Sequence, residues 1–101
     1  MKVMRLGEFR NEIKAQGVQI GDVTFECPNC RTLQSANDLI LAGAGKTIEE
    51  VEKYVAFSCI GRFDSGKGCD WTLGGLLQIH ELEVETEDGK RHPRFLPKRR
   101  D

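Results

Sequence analysis

The residues best suited to chemistry are four cysteines, Cys27, Cys30, Cys59 and Cys69. Cys27 and Cys30 enclose only Pro28 and Asn29, a Cys-x2-Cys knuckle. A two-residue spacer lets one tight turn offer two sulfurs to the same ion, and zinc takes four such donors in a tetrahedron. Between Cys59 and Cys69 lie nine residues, three of them glycine. That pair converges on the same ion only if the glycine-rich loop folds back as a long turn between two strands. Four thiolates close the coordination sphere and leave no position for a reactive water, so the expected zinc is structural. Such sites supply roughly 10–16 kcal/mol of apparent folding free energy. A whole domain has a net stability of roughly 5–15 kcal/mol. Loss of the ion is therefore expected to melt the ribbon.

Other readings of the cysteines stay open, unrelated buried thiols among them. A dithiol redox site at Cys27 and Cys30 is one, but no βαβ pattern surrounds it and Cys59 and Cys69 go unexplained. Disulfides suit exported chains, whereas residues 1–5 lead straight into a charged amphipathic stretch without a signal-like apolar core. A reducing cytosol is the expected setting. His80 or His92 is a substitute ligand; the plainer role of each is a surface or partly buried imidazole. Arg31, Arg62 and Lys67 lie beside the cysteines in sequence, where they temper thiolate charge or face solvent.

The elements that must position these sulfurs belong to one small domain. The chain has 101 residues, 15 basic and 16 acidic side chains, and an apolar fraction of 39%, a lean core for which a metal staple is a natural support. No apolar run approaches the length of a membrane span. Apolar residues at Leu6, Phe9 and Ile13 predict a helix over 5–16, stopped at Gly17. Residues 18–26 read as a strand, strongest at 23–26. Ser35 with Asp38 three residues on starts a short helix ending at Gly43 or Gly45. Thr47 with Glu50 forms a cleaner capping box and opens a helix with Ile48, Val51 and Val55 inward. Residues 54–59 turn strand-like. Asp88-Gly89 marks a two-residue hairpin turn. Counting outward pairs Glu87 with Lys90, Glu85 with His92 and Glu83 with Arg94, leaving Val84 with Pro93 and Leu82 with Phe95 on the apolar face. Pro93 puts the returning strand at an edge. Leu76, Leu77 and Ile79 break parity with Leu82 and Val84, so that stretch needs a bulge, a short helix or burial on both sides. The fold class is α+β: a small zinc-ribbon-like domain with an N-terminal helix, one or two central helices and a C-terminal hairpin. It spans residues 1–97, followed by a basic tail at 98–101.

Two suggestive patterns fail on context. Gly43-Ala44-Gly45-Lys46-Thr47 resembles the end of a phosphate-binding loop, but Ile40 stands where that motif needs glycine and a helix precedes it. No nucleotide is expected. The series Glu81, Glu83, Glu85 and Glu87 is explained by hairpin pairing more simply than by catalysis. No enzyme constellation is present, and the chain is not expected to be an enzyme.

The chain is similar to a family of small phage- and prophage-encoded zinc-ribbon proteins of poorly defined function. The resemblance rests on Gly17-Val18-Gln19-Ile20-Gly21-Asp22-Val23, on Cys27-Pro28-Asn29-Cys30, and on Thr32-Leu33-Gln34-Ser35-Ala36-Asn37-Asp38-Leu39. It continues through Val51-Glu52-Lys53-Tyr54, Phe57-Ser58-Cys59-Ile60-Gly61-Arg62 and Cys69-Asp70-Trp71-Thr72-Leu73-Gly74-Gly75-Leu76. It covers residues 5 to 95. Members vary in the loop between the third and fourth cysteines, which is short here. The resemblance implies a phage context and action in the cytoplasm of a bacterial host; it implies no reaction.

Two functions lead, ahead of a mainly structural or assembly role and of an enzyme or redox role. One is a non-enzymatic module that binds a host or phage protein, such as a defence (anti-CRISPR-like) or regulatory complex. Residues 32–89 carry 4 basic and 11 acidic side chains, a local −7 that would attract a basic groove on another protein. The other is nucleic-acid binding. Residues 90–101 carry 6 basic and 1 acidic side chains, a local +5. Lys98, Arg99 and Arg100, with Arg62 and Lys67, are candidate phosphate contacts, and Phe63 or Trp71 a stacking platform. Arg62, Phe63, Lys67, Lys98, Arg99 and Arg100 are thus the candidate partner-binding residues under either reading.

Overall fold

The computed structural model describes residues 2–64, 66–73 and 80–100. Its order begins with β1 (Lys2–Arg5) and α1 (Leu6–Lys14), followed by a 3-10 turn at Ile20–Asp22. Next come β2 (Phe25–Glu26), β3 (Leu33–Gln34), α2 (Ala36–Leu41) and α3 (Ile48–Val55). A second 3-10 turn at Ile60–Arg62 precedes β4 (Leu82–Glu85), β5 (Arg91–Arg94) and β6 (Leu96–Pro97). Among the described residues this makes three helices and two three-stranded sheets, an α+β fold with the expected N-terminal helix, central helices and C-terminal hairpin.

The first sheet runs β1-β4-β5, with β1 parallel and β5 antiparallel to the central strand. Leu82 and Val84 alternate inward with half-buried Glu83 and Glu85, and pack with Met4 of β1. The second sheet runs β3-β2-β6. The larger core lies between this sheet and the helices, where Phe25, Leu39, Val51, Ile60, Phe95 and the sulfurs of Cys27 and Cys59 are buried together. Phe9 of α1 closes over it, its ring 6.1 Å from Phe25.

Local chemistry explains the helix starts. At α2 the Ser35 hydroxyl accepts from Asp38 N–H at 3.2 Å, and the Asp38 carboxylate accepts from Ser35 N–H at 3.0 Å. This is the reciprocal box. At α3 Thr47 caps Glu50 N–H at 3.2 Å, without the return bond from Glu50, so the cleaner of the two boxes is at Ser35 and not at Thr47. Gly43 ends α2 at φ +88°, a conformation that glycine alone adopts without strain.

The structure departs from the sequence reading in four places. The strand expected over 18–26 forms only at Phe25–Glu26, because the chain coils into the 3-10 turn before it. Residues 54–59 do not form a strand: α3 continues to Val55, and only Ser58 pairs across, with Thr72. β1 was not anticipated. The hairpin is displaced by one residue: Glu83 faces Pro93, Val84 faces His92 and Glu85 faces Arg91. The loop has three residues. Thr86 N–H donates to Lys90 O at 3.0 Å, Asp88 accepts from Lys90 N–H at 3.1 Å, and Gly89 sits at φ +80°. A left-handed residue ending a three-residue loop is a common hairpin solution. A slip of one residue exchanges the faces of a strand. Arg94 therefore lies opposite Leu82, on the side where Phe95 was expected. Pro93 is on the sheet edge, as predicted. The parity problem at Leu76, Leu77 and Ile79 falls outside the described residues.

Candidate metal centre

The β2–β3 hairpin presents the first sulfur pair. Phe25 pairs with Gln34 and Glu26 with Leu33. Just beyond, Cys27 N–H donates to Thr32 O at 3.0 Å and Arg31 N–H to Cys27 O at 2.9 Å. Arg31 takes φ +65° to close this turn. The second pair stands on the antiparallel bridge between Ser58 and Thr72: Cys59 N–H donates to Trp71 O at 2.8 Å, and Leu73 N–H to Phe57 O at 2.9 Å. The intervening loop folds back as its glycines permit. A Cβ on Gly61 would stand 2.2 Å from Cys69 O and 2.4 Å from Lys67 O. Gly68, at φ +56°, passes so close that a Cβ there would lie 2.6 Å from Cys59 Sγ.

The two turns are held face to face by Gln34, a fully buried amide that the sequence reading did not single out. Its Nε2 donates to Val55 O at 2.9 Å and to Ser58 O at 2.8 Å. Its Oε1 accepts from Ile60 N–H at 2.7 Å. One side chain of the first hairpin thus replaces a missing stretch of sheet along the second. Gln16 does similar work at the rear of β2, bonding both the N–H and the C=O of Thr24 at 2.9 Å.

The four cysteine sulfurs all lie within 4.8 Å of one another. Cys27 is 3.7 Å from Cys69, and Cys30 is 3.7 Å from Cys59. A tetrahedron with metal–sulfur bonds of about 2.3 Å has edges of about 3.8 Å. A disulfide requires about 2.05 Å between sulfurs, and all four thiols are free. The cluster is compatible with one metal ion.

The surroundings act on the thiols in opposite directions. Burial pushes the Cys27 and Cys59 thiols up. Burial acts the same way on Cys30, but the Thr32 hydroxyl and N–H, together with the neighbouring sulfurs, bring it down to about 7. Backbone N–H groups of Asn29 and Cys30 point at Cys27 Sγ, and those of Gly61 and Cys69 at Cys59 Sγ. Asn29 Nδ2 donates to Cys69 Sγ at 3.4 Å. Dipoles so placed spread the excess negative charge of a four-thiolate site. The nearby cations do not do so directly. Arg31 pairs with Glu26 at 3.2 Å and with Glu81, Arg62 donates to Asp70 O at 3.2 Å, and Lys67 faces Asp64 at 4.0 Å. Neither histidine is in the cluster; His80 Nε2 meets Glu83 at 3.1 Å.

The other candidate binding residues are mostly tied to the body. Phe63 packs on Tyr54 with ring centroids 5.0 Å apart, and Trp71 is half-buried against the core. Lys98 pairs with Glu26 at 3.1 Å and its N–H donates to Thr24 O at 3.1 Å, continuing β6 along β2. Arg100 pairs with Asp38 at 2.7 Å. Arg99 is exposed and, among the described residues, makes no ion pair. The structure therefore brings Lys98, Arg99 and Arg100 together at the end of β6, and Arg62, Phe63 and Lys67 together on the cysteine loop. No helix among the described residues is long and apolar enough to cross a membrane.

Fold and site together define a small α+β domain built around a four-cysteine, metal-compatible centre. The chain belongs to the VVA0879-like family, whose model matches residues 5–98. Comparison with curated proteins and with solved structures gives no match.

Proposed function

We propose that this protein is a non-enzymatic zinc module that acts by binding a protein partner. The observation that carries the reading is the four-sulfur cluster. Its donors are soft, its edges suit zinc, and its four ligands leave no position for a substrate or an attacking water. The two cysteine turns, each set on an antiparallel pairing, support a zinc-ribbon description of the centre. The resemblance to phage and prophage proteins supports a setting inside a bacterial cell, with a host complex such as a defence or regulatory machinery as the partner.

The engagement of the cations favours protein over nucleic acid as that partner. Lys67, Lys98 and Arg100 face carboxylates, and phosphate contacts would have to displace them. The exposed acidic residues of α3 would repel a phosphate backbone, and the same charge steers basic protein surfaces. Two measurements test the reading together. Affinity capture from bacterial lysate with the zinc-loaded chain should recover a defined protein partner that is lost after chelation. Titration with single- and double-stranded DNA at two salt concentrations should show no binding. Salt-sensitive nucleic-acid binding without a protein partner would reverse the assignment.

A further inference from the structure

An open hollow of about 670 Å³ separates α1 from α3. Phe9 and Ile13 line one side, Ile48 and Val55 the other, and Phe25 lies on the floor. It adjoins a second hollow of about 270 Å³, which shares Glu52, Lys53, Ala56 and Arg94 with it. A concave hollow lined mainly by apolar side chains with a few polar groups at its edge is the usual form of a binding site. What identifies the occupant is Arg94. The one-residue displacement of the hairpin turns its side chain inward, opposite Leu82. There the guanidinium lies 5.7 Å from the centre of the Phe57 ring, and its one hydrogen bond among the described residues is 2.7 Å to Pro93 O. No carboxylate pairs with it among the described residues. Burial pulls it down from the ordinary arginine range with no opposing charge to offset that cost. Arg94 is the one arginine or lysine among the described residues that is half-buried rather than exposed. A planar guanidinium held over an aromatic ring with its remaining donors open is suited to a carboxylate.

We propose that this groove docks an amphipathic helix of the partner protein, with an aspartate or glutamate of that helix seated on Arg94. The occupant's apolar residues, at helical spacing, would fill the space between α1 and α3, a known mode of helix recognition. Glu49 and Glu52 on the α3 rim call for a lysine or arginine on the other flank of the same helix. This inference rests on the reading of the protein as a protein-binding module, and names the surface and the kind of segment.

The test uses the zinc-loaded full chain and a displayed library of amphipathic helical peptides of random sequence. Selection should enrich peptides with apolar residues at i, i+3 or i+4 and an acidic residue beside them. Arg94→Gln should weaken those peptides at least tenfold, Arg94→Lys less, and Arg94→Glu should shift the selection toward basic peptides. Ile20→Asp is the independent variant. Ile20 lines the groove but is 65% exposed, so the substitution leaves the core intact; it should weaken binding at least as much. Retained zinc and unchanged far-UV dichroism establish that each variant is folded. Peptides that bind wild type and Arg94→Gln equally, failure to enrich any peptide, or occupation of the groove by a second copy, seen as self-association abolished by Ile20→Asp, would each overturn the proposal. A lysate partner captured equally by wild type, Arg94→Gln and Ile20→Asp would leave protein binding standing and remove this groove from it.

Discussion

Replacing Gln34 with leucine should unfasten the two cysteine turns from each other. Leucine has nearly the volume of glutamine, so the change opens no large cavity and isolates the polar contribution. Three backbone groups lose their partner at once: Val55 C=O, Ser58 C=O and Ile60 N–H. An unsatisfied buried group costs about 1–3 kcal/mol. Some rehydration at the edge of the site lowers the sum, giving an expected loss of about 3–6 kcal/mol. That is a large share of the roughly 5–15 kcal/mol available to a domain. Because metal binding and folding are coupled in such sites, part of the loss should appear as weaker metal affinity, at a factor of ten per roughly 1.4 kcal/mol. Two assays read it: urea unfolding followed by far-UV dichroism in excess zinc, and competition with a chromophoric chelator. Gln34→Leu should shift the first by several kcal/mol and the second by at least a hundredfold. A loss below about 1 kcal/mol with unchanged zinc affinity would refute the assignment of Gln34 as the clamp, since even one uncompensated group should cost that much.

Gly61→Ala and Gly89→Ala should separate sterics from backbone conformation. The first drives a Cβ into the backbone of Cys69 and should weaken zinc at least a hundredfold; the second meets nothing within 4 Å and should cost only about 1 kcal/mol of strain, with zinc affinity unchanged. Equal effects in chelator competition would contradict the placement of the loop. Burial acts to raise the Asp38 carboxyl, but the Arg100 guanidinium and the Ser35 N–H outweigh it and hold it below the ordinary value of 3.8. A carboxyl depressed in the folded state stabilises it above the unfolded pKa and loses that contribution as the pH falls through the folded pKa. The stability difference between wild type and Asp38→Asn should therefore stay constant from pH 7 to pH 5; a difference that fades across that window in urea melts would contradict it. Arg91→Ala should cost less than about 1 kcal/mol, as the exposed pair with Glu85 is weak; a larger loss in thermal melts would mean the register is held by that pair rather than by the Thr86–Lys90 loop.

The cysteine cluster was legible because metal sites impose types and spacings that little else imposes. The glycines of the second turn were readable for the same reason, since only a residue without a Cβ passes beside Cys59 Sγ and Cys69 O. Helix starts at Ser35 and Thr47 were readable because caps are local chemistry. What escaped was long-range or depended on a single residue of register. β1 has one buried side chain, Met4, and its parallel partner lies some eighty residues away, so no local pattern announces it. Gln34 looks like any polar residue after a knuckle; its three bonds reach residues 55–60. The hairpin turn was located correctly at Asp88-Gly89, but Thr86 and Asp88 close a three-residue loop, and that one extra residue carried Arg94 to the buried face. The sequence marks 98–101 only as a basic tail, because the partners of Lys98 and Arg100, Glu26 and Asp38, are remote in sequence.

The ion itself is tested most directly by native mass spectrometry of the untagged protein, with elemental analysis, before and after a strong chelator. One zinc per chain, four reactive thiols on denaturation, and collapse of the far-UV helical signal when the zinc is withdrawn are the predicted results. Less than half an equivalent of any metal, with the dichroism unchanged in chelator, would contradict the account.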